Sequence, residues 1–116
     1  MEQTDAVAAL SALAHPGRLA IFRLLVRAGP GGLAVGEIAR ATGSLPNTLS
    51  SNLGILVQAG LAGSRRDGRS IIYSADYGRM SGLLAFLMED CCAGEPAICD
   101  PAIAAAQAGA CGQARC

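Results

Sequence analysis

The stretch "VGEIARATGSLPNTLSSNLGILVQAGLAGSRRDGRSIIYSA", residues 35–75, contains two helical patterns followed by a change of period. The first pattern predicts a short helix that ends at Gly43, and Pro46 favours the start of a second helix that stops at Gly60. At about 100° per residue the second helix has one apolar stripe, made of Leu49, Leu53, Leu56 and Val57. Two short runs then flank Asp67-Gly68, a dipeptide typical of a type I′ turn, and predict a β-hairpin.

Helical patterns also flank this stretch on both sides. "DAVAALSALAH" (5–15) and "PGRLAIFRLLVRAG" (16–29) precede it, and "MSGLLAFLMEDCC" (80–92) follows it. The predicted fold class is therefore mainly α with a β-hairpin. A short helix, a tight turn, a helix with a small polar outer face and a basic hairpin together make a winged helix-turn-helix, which places its second helix in the major groove of DNA.

The composition suits one small helical domain. The chain has 116 residues, of which 52% are hydrophobic and 3% aromatic, so the core is expected to consist of Leu, Ile, Val and Ala. Its apolar runs are shorter than the roughly 18 residues that a membrane span needs, and "MEQTDAVAAL" (1–10) does not resemble an export signal. We therefore expect a cytoplasmic protein without a membrane partner, whose five cysteines are reduced.

The formal net charge of zero hides an asymmetry between two regions. Residues 1–79 hold eight arginines against five acids, a net charge of +3, whereas residues 80–116 hold one arginine against four acids, a net charge of −3. Such a distribution favours an anionic partner for the body and a cationic ligand for the acidic segment. The chain contains no Lys, so its basic contacts come from Arg, which binds phosphate or guanine in a planar, bidentate way.

These features predict a surface that binds double-stranded DNA. The expected groove-facing residues are Asn47, Thr48, Ser50 and Ser51, and the expected hairpin contacts to phosphate or to the minor groove are Arg65, Arg66 and Arg69. A solvated helix face and a solvated charged tip are the alternatives for these two sets. One such module reads few base pairs, so we expect a homodimer on a palindromic site.

The chain resembles the ArsR/SmtB family of metalloregulatory repressors. The resemblance rests on "ALAHPGRLAIFRLL" (12–25), "VGEIARATG" (35–43), "TLSSNLGILVQAGLA" (48–62) and "RRDGRSIIYSA" (65–75), and with the flanking helices it covers residues 5–92, roughly three quarters of the chain. It implies a repressor that dimerises through its first and last helices and is not an enzyme.

The chain also departs from the family pattern. Family members often carry two His residues before the Leu of the second helix and a Lys after it, where this chain has Ser51, Asn52 and Gly54. The family's cysteine pair is missing from "GLAVGEIA" (32–39), and the helix predicted over 80–92 contains no His. A subgroup that responds to arsenic has adjacent cysteines at the end of the last helix and a third shortly after, which Cys91, Cys92 and Cys99 resemble.

Three thiols in nine residues favour a soft ligand. Thiolate sulfur is soft and selects thiophilic ions over Mg²⁺ or Ca²⁺, and trivalent arsenic or antimony takes three sulfurs in a pyramid, whereas zinc requires a fourth ligand. We expect Gly94 and Pro96 to break the helix after the pair so that Cys99 can approach Cys91 and Cys92. The predicted inducer is trivalent arsenic, as arsenite or an organoarsenical, which releases the repressor from its operator.

Several alternatives remain for these cysteines. A repressor of the same fold could sense oxidants through a disulfide, or zinc or cadmium with a further ligand. A thiol enzyme such as an arsenate reductase needs a cysteine activated in an anion-binding loop, and a helix C-terminus among acids disfavours the thiolate. The predicted division is a DNA-binding and dimerisation domain over 1–93, which carries the start of the thiol site, and a flexible cysteine-containing tail over 94–116.

Overall fold

The computed structural model describes residues 1–94 and 96–111. Six α-helices occur in this part of the chain: α1 (Gln3–Leu13), α2 (Pro16–Ala28), α3 (Val35–Thr42), α4 (Pro46–Gln58), α5 (Tyr77–Met88) and α6 (Pro96–Cys111). The strands are β1 (Leu33–Ala34), β2 (Ala62–Asp67) and β3 (Ser70–Ala75), and a short 3-10 helix spans Cys91–Gly94. The predicted winged helix-turn-helix is confirmed.

Local signals define the ends of the central helices. The Nδ1 atom of His15 accepts hydrogen bonds from the backbone amides of Gly17 at 3.1 Å and Arg18 at 3.4 Å, so this side chain caps the start of α2. Helix α3 ends at Thr42 and is capped by Gly43, whose φ of +67° is the left-handed conformation that closes many helices. Pro46, which cannot donate a backbone hydrogen bond, occupies the first turn of α4.

The hairpin has a different turn from the one predicted. Asp67 pairs with Ser70 at the end of the ladder, so the two loop residues are Gly68 and Arg69. Only Gly68 has a positive φ, of +63°, which fits a type II′ turn, whereas type I′ needs a positive φ at both loop residues. A further strand, β1, was not predicted from the sequence; it pairs antiparallel to β3 and makes the sheet three-stranded in the order β1-β3-β2.

The core lies where α2, α3, α4 and the sheet meet. Its fully buried side chains are Ile21, Leu25, Ile38, Leu49, Leu53, Leu56 and Leu61. Helix α1 packs onto this core with alanines, because Ala6, Ala9 and Ala12 are at most 3% exposed. Its larger apolar side chains Val7 and Leu10 are 54% and 43% exposed. Small residues let α1 lie close to α2 and α4, which leaves the bulky residues on the outer side.

The described residues fall into two compact units, which divide after Phe86. The second unit contains a helix from Pro96 to Cys111, where the sequence predicts a loose tail. The alanine-rich residues 102–106 favour helix even without an amphipathic pattern, whereas the flexibility of the tail stays a prediction. The proposed boundary between residues 93 and 94 stays a prediction.

Among residues 1–94 and 96–111, no single helix has both the length and the apolarity needed to cross a membrane. Helices α1 and α2 reach that threshold only when taken together, and the chain bends by 104° between them.

Candidate nucleic-acid interface

Helix α4 presents a polar surface that carries no charge. Asn47, Thr48, Ser50 and Ser51 are all exposed on its first half, as the sequence predicts, and α4 contains neither acidic nor basic residues. Their short side chains can donate and accept hydrogen bonds, which suits contacts with base edges better than long-range attraction to phosphate. The exposure is observed, whereas the contact of each residue with DNA stays a prediction.

The buried side of α4 differs from the predicted stripe at two positions. Leu49, Leu53 and Leu56 are buried as expected, but Val57 is 38% exposed and Asn52 is only 6% exposed. Relative to Leu49, Asn52 lies about 60° to one side and Val57 about 80° to the other. The helices that pack on α4 cover the side with Asn52, so the prediction for Val57 is wrong.

Asn52 is buried because a polar partner reaches it from α2. The Nη1 atom of Arg18 donates to Asn52 Oδ1 at 3.5 Å, a long hydrogen bond, while Arg18 Nε donates to the carbonyl oxygen of Ala12 at 2.6 Å. One guanidinium therefore connects the end of α1, the start of α2 and the middle of α4. A buried amide with such a partner fixes the position of α4 without being available to DNA.

The hairpin carries its three arginines in different surroundings. Arg65, Arg66 and Arg69 are all exposed. Arg65 donates from Nη2 to the carbonyl oxygen of Gly31 at 3.1 Å, which ties the hairpin to the loop before β1. Arg66 is the next residue on β2 and lies on the opposite face of the strand. Neither Arg66 nor Arg69 has a hydrogen bond or ion pair to a described residue, so both remain available to an anion.

Arg69 lies next to the start of α3. It lines a shallow depression of about 360 Å³ together with Val35 and Gly36, the first two residues of that helix. The amides at a helix N-terminus carry a partial positive charge that attracts anions. The carboxylate of Glu37 accepts a hydrogen bond from the backbone amide of Ala34 at 2.9 Å and caps the start of α3, so Arg69 is the cation among the residues that line this depression.

The cysteine segment follows α5 directly. Helix α5 ends at Met88, and Asp90 adopts a positive φ of +55°, a left-handed conformation that Asp tolerates better than most residues. The helix thus ends before the cysteine pair, which corrects the prediction that it ends after it. Cys91 and Cys92 begin the 3-10 helix, and Cys99 lies in the first turn of α6.

The predicted metal ligands are therefore close together along the chain, within nine residues. Ala93 and Gly94 also have positive φ values, of +51° and +83°, and the 3-10 helix contacts α6. The side chains of Cys91, Cys92 and Cys99 lie outside the described part of the structure, so their convergence stays a prediction. Among the side chains that are described, no three His, Cys, Asp or Glu residues form a group that could hold a metal ion.

Comparison with known proteins places this geometry in a family. A family model described as a helix-turn-helix domain matches residues 13–62, from the end of α1 to the start of β2. The chain is 34% identical over 88 residues to the HTH-type transcriptional regulator YgaV of Escherichia coli, covering 76% of this chain and 87% of that protein. The chain belongs to the winged helix-turn-helix transcriptional regulators of the ArsR/SmtB type.

Solved structures similar to this ArsR/SmtB-type regulator support the assignment. The homodimeric DNA-binding domain of Mb0332 from Mycobacterium bovis, described as a possible ArsR-family regulator, has a TM-score of 0.60 at 33% identity, over 76% of this chain and 82% of that one. The transcriptional repressor BigR from Xylella fastidiosa also has a TM-score of 0.60, at 30% identity, over 74% and 85% of the two chains. The predictions of a winged helix-turn-helix repressor that is not an enzyme are confirmed at this coarser level.

The regulator exposes apolar side chains on α1 and α5. Val7 and Leu10 on α1 and Leu84 on α5 are between 43% and 54% exposed. The two helices are neighbours, because Arg79 Nη1 lies 3.9 Å from Asp5 Oδ1 and the methyl group of Met1 lies 3.6 Å from the position of a Cβ atom built on Gly82. These are the helices through which dimerisation is predicted.

Sequence reasoning missed Arg18 and Asn52 as residues that position the interface. A signal for Asn52 was present, since it follows Leu49 by three residues and so lies beside the apolar stripe. No comparable signal existed for the bond from Arg65 to Gly31, because the two residues are 34 positions apart and β1 was not predicted.

Proposed function

We propose that this regulator represses transcription in the cytoplasm as a homodimer, and that trivalent arsenic releases it from its operator. Helix α4 enters the major groove and the β2–β3 hairpin contacts the DNA backbone or the adjacent minor groove. Cys91, Cys92 and Cys99 bind the inducer, which is arsenite or an organoarsenical. Trivalent antimony is an inducer of the same chemistry.

The observation that carries the DNA-binding part is the exposed polar surface of α4, together with two exposed hairpin arginines that have no partner in the described part of the chain. Asn47 and Ser51 are exposed in the half of the helix that follows the turn, and Arg66 and Arg69 have no partner among the described residues. This arrangement separates two tasks. Short polar side chains read bases, and guanidinium groups bind phosphate and supply the salt-dependent part of the affinity.

The dimer is proposed because a second copy of the chain would bury the exposed apolar residues of α1 and α5. Val7, Leu10 and Leu84 are about half exposed, although each is large enough to gain free energy on burial. A twofold partner places the same side chains opposite each other, and a symmetric dimer matches a palindromic operator. The homodimeric state described for Mb0332 supports this arrangement.

The arsenic site is proposed from the chemistry of its donors. Arsenous acid can exchange its three hydroxyl groups for three cysteine sulfurs, which forms three As–S bonds and releases three water molecules. Cys91 and Cys92 in the 3-10 helix and Cys99 in the first turn of α6 supply three thiols within nine residues. Because the loop between them is short, closing it costs little conformational entropy.

Inducer binding is coupled to DNA release through the segment that follows α5. Capture of one arsenic atom by three sulfurs holds the 3-10 helix and the start of α6 in one arrangement. If the DNA-bound dimer requires another arrangement, operator affinity falls. A complete switch needs a difference of roughly 5 kcal/mol between the two states, which three arsenic–sulfur bonds are strong enough to supply.

The test is a titration of operator affinity against arsenite at fixed salt, using the reduced protein. Wild type and Cys111→Ser should lose DNA at the same arsenite concentration, whereas Cys91→Ser, Cys92→Ser and Cys99→Ser should each remain bound at much higher concentrations. Mass spectrometry should find one arsenic atom for each wild-type chain. An unchanged response in Cys99→Ser would remove this residue from the site.

A second candidate function is release by oxidation, and one observation favours it. Cys99 lies in the first turn of α6, where the partial positive charge of a helix N-terminus favours the reactive thiolate. A peroxide would take two electrons and two protons from two thiols, which leaves a disulfide and water. Thiol counting after mild peroxide treatment, paired with an operator-binding measurement, separates this function from arsenic sensing.

A further inference from the structure

Gly54 lies in the middle of α4 although nothing inside the chain requires a glycine there. The helix continues without a break from Pro46 to Gln58, and Gly54 is exposed. A Cβ atom built at this position meets no atom within 4 Å. Glycine inside a helix lowers the equilibrium constant for folding roughly fivefold relative to alanine. The isolated chain would therefore be more stable with alanine.

The position of Gly54 connects it to the surface that is proposed to read DNA. It follows Ser51 by three residues and Asn47 by seven, so the three residues share the outward face of α4. The side chains of Asn47 and Ser51 are short, and α4 has no long charged side chain that could reach a base from a distance. Short side chains reach base edges only when the helix backbone itself lies deep in the groove.

We infer that Gly54 determines operator specificity by allowing α4 to insert deeply into the major groove. This inference rests on the proposed function, in which α4 is the reading helix. A side chain at position 54 would meet the DNA first and hold the helix away from the bases. Hydrogen bonds from Asn47 and Ser51 to base edges would then be lost, while contacts from Arg66 and Arg69 to phosphate would persist.

The inference predicts that substitution changes stability and specific binding in opposite directions. Gly54→Ala and Gly54→Leu should both unfold at the same or a higher urea concentration than wild type, because Ala and Leu favour helix. Affinity for the operator should fall roughly tenfold for Gly54→Ala and roughly a hundredfold for Gly54→Leu. Affinity for an unrelated duplex of equal length should change less than about threefold, since that binding depends on phosphate contacts.

The experiment uses the full chain and an operator selected from random duplexes by the wild-type protein. Gly78→Ala is the matched control, because Gly78 is an exposed helical glycine on α5 and its added Cβ would lie 3.4 Å from Asp76 Oδ1. This control should leave operator affinity unchanged. Sedimentation of each variant without DNA should show the same oligomeric state as wild type.

Three results would overturn the inference. Gly54→Leu could bind the operator as tightly as wild type, lose affinity equally for operator and unrelated DNA, or change the oligomeric state, which would place Gly54 in contact with another copy of the chain. A wild-type protein that selects no sequence would instead contradict the proposed function, and the inference about Gly54 with it. The two failures are thus distinguished by the wild-type selection.

Discussion

The body, residues 1–86, and the segment from residue 87 onward differ in what determines their candidate functional groups. In the body, the polar face of α4 is exposed because Leu49, Leu53 and Leu56 are buried, so packing determines which residues can reach a partner. In the second unit the notable groups are three cysteines close together in sequence, on a short 3-10 helix and the start of α6. Their proposed role depends on the affinity of sulfur for a soft ligand.

The two regions also differ in charge. Residues 1–79 carry a net charge of +3 and residues 80–116 a net charge of −3. The first suits a phosphate backbone, and the second reduces unwanted attraction of the cysteine segment to DNA. In the proposed function, inducer binding and DNA reading therefore belong to different segments of the chain.

The largest expected effect is on the free energy of unfolding, which should fall for a buried residue of the body and change little for a cysteine of the second unit. Leu53 is 1% exposed, so Leu53→Ala should lower the free energy of unfolding by about 2–5 kcal/mol. Cys92→Ser should change it by less than about 0.5 kcal/mol while weakening the arsenite response. Urea unfolding measures both. A loss of stability in Cys92→Ser as large as that in Leu53→Ala would show that the cysteine segment is part of the folded core.

An intermediate effect on the free energy of unfolding should follow from loss of the hydrogen bond between Arg18 and Asn52. Asn52→Ala removes the acceptor for Arg18 Nη1 and leaves a small cavity beside α4, which should cost about 1–2 kcal/mol in urea unfolding. Operator affinity should fall less than for changes on the exposed face. The control is Val57→Ala, because Val57 is on the same helix but 38% exposed, and it should cost less than about 1 kcal/mol. Equal losses in the two variants would contradict the structural role of Asn52.

The smallest expected effect is on the salt dependence of DNA binding, which should differ between Arg65 and Arg69 of the hairpin. Arg69→Gln should weaken binding to all DNA sequences alike and lower the slope of log affinity against log salt by about 1. Arg65→Gln should lower that slope less, because Arg65 already donates to Gly31. Titrations at several salt concentrations on one operator provide both slopes. A larger change of slope for Arg65→Gln than for Arg69→Gln would reverse the assignment.

Much of the body could be predicted because its signals are local. Pro46 and Gly43 mark helix ends, and Asp67-Gly68 marks the hairpin, so the order of the elements up to α5, apart from the two-residue strand β1, follows from neighbouring residues. The exposed positions of Asn47 and Ser51 follow from helical periodicity. The segment after α5 was harder, because alanines and isolated cysteines have no pattern that specifies where a helix begins.

The sequence by itself determined the fold class, the polar face of α4, the arginines of the hairpin and the set of thiols. Only the tertiary structure decided that Asn52 lies inside while Val57 lies outside, that α1 packs through alanines, and that Arg65 is tied to Gly31. Periodicity shows which residues share a helix face, but the elements that pack against the helix decide which face is covered. Those elements are brought together by contacts between distant residues, such as Arg18 and Asn52.

The proposed reading of DNA requires that one face of α4 carries only short, uncharged and exposed side chains, while the opposite face packs firmly against the core. Finding side chains packed over Asn47, Ser51 and Gly54 in the free protein would contradict it.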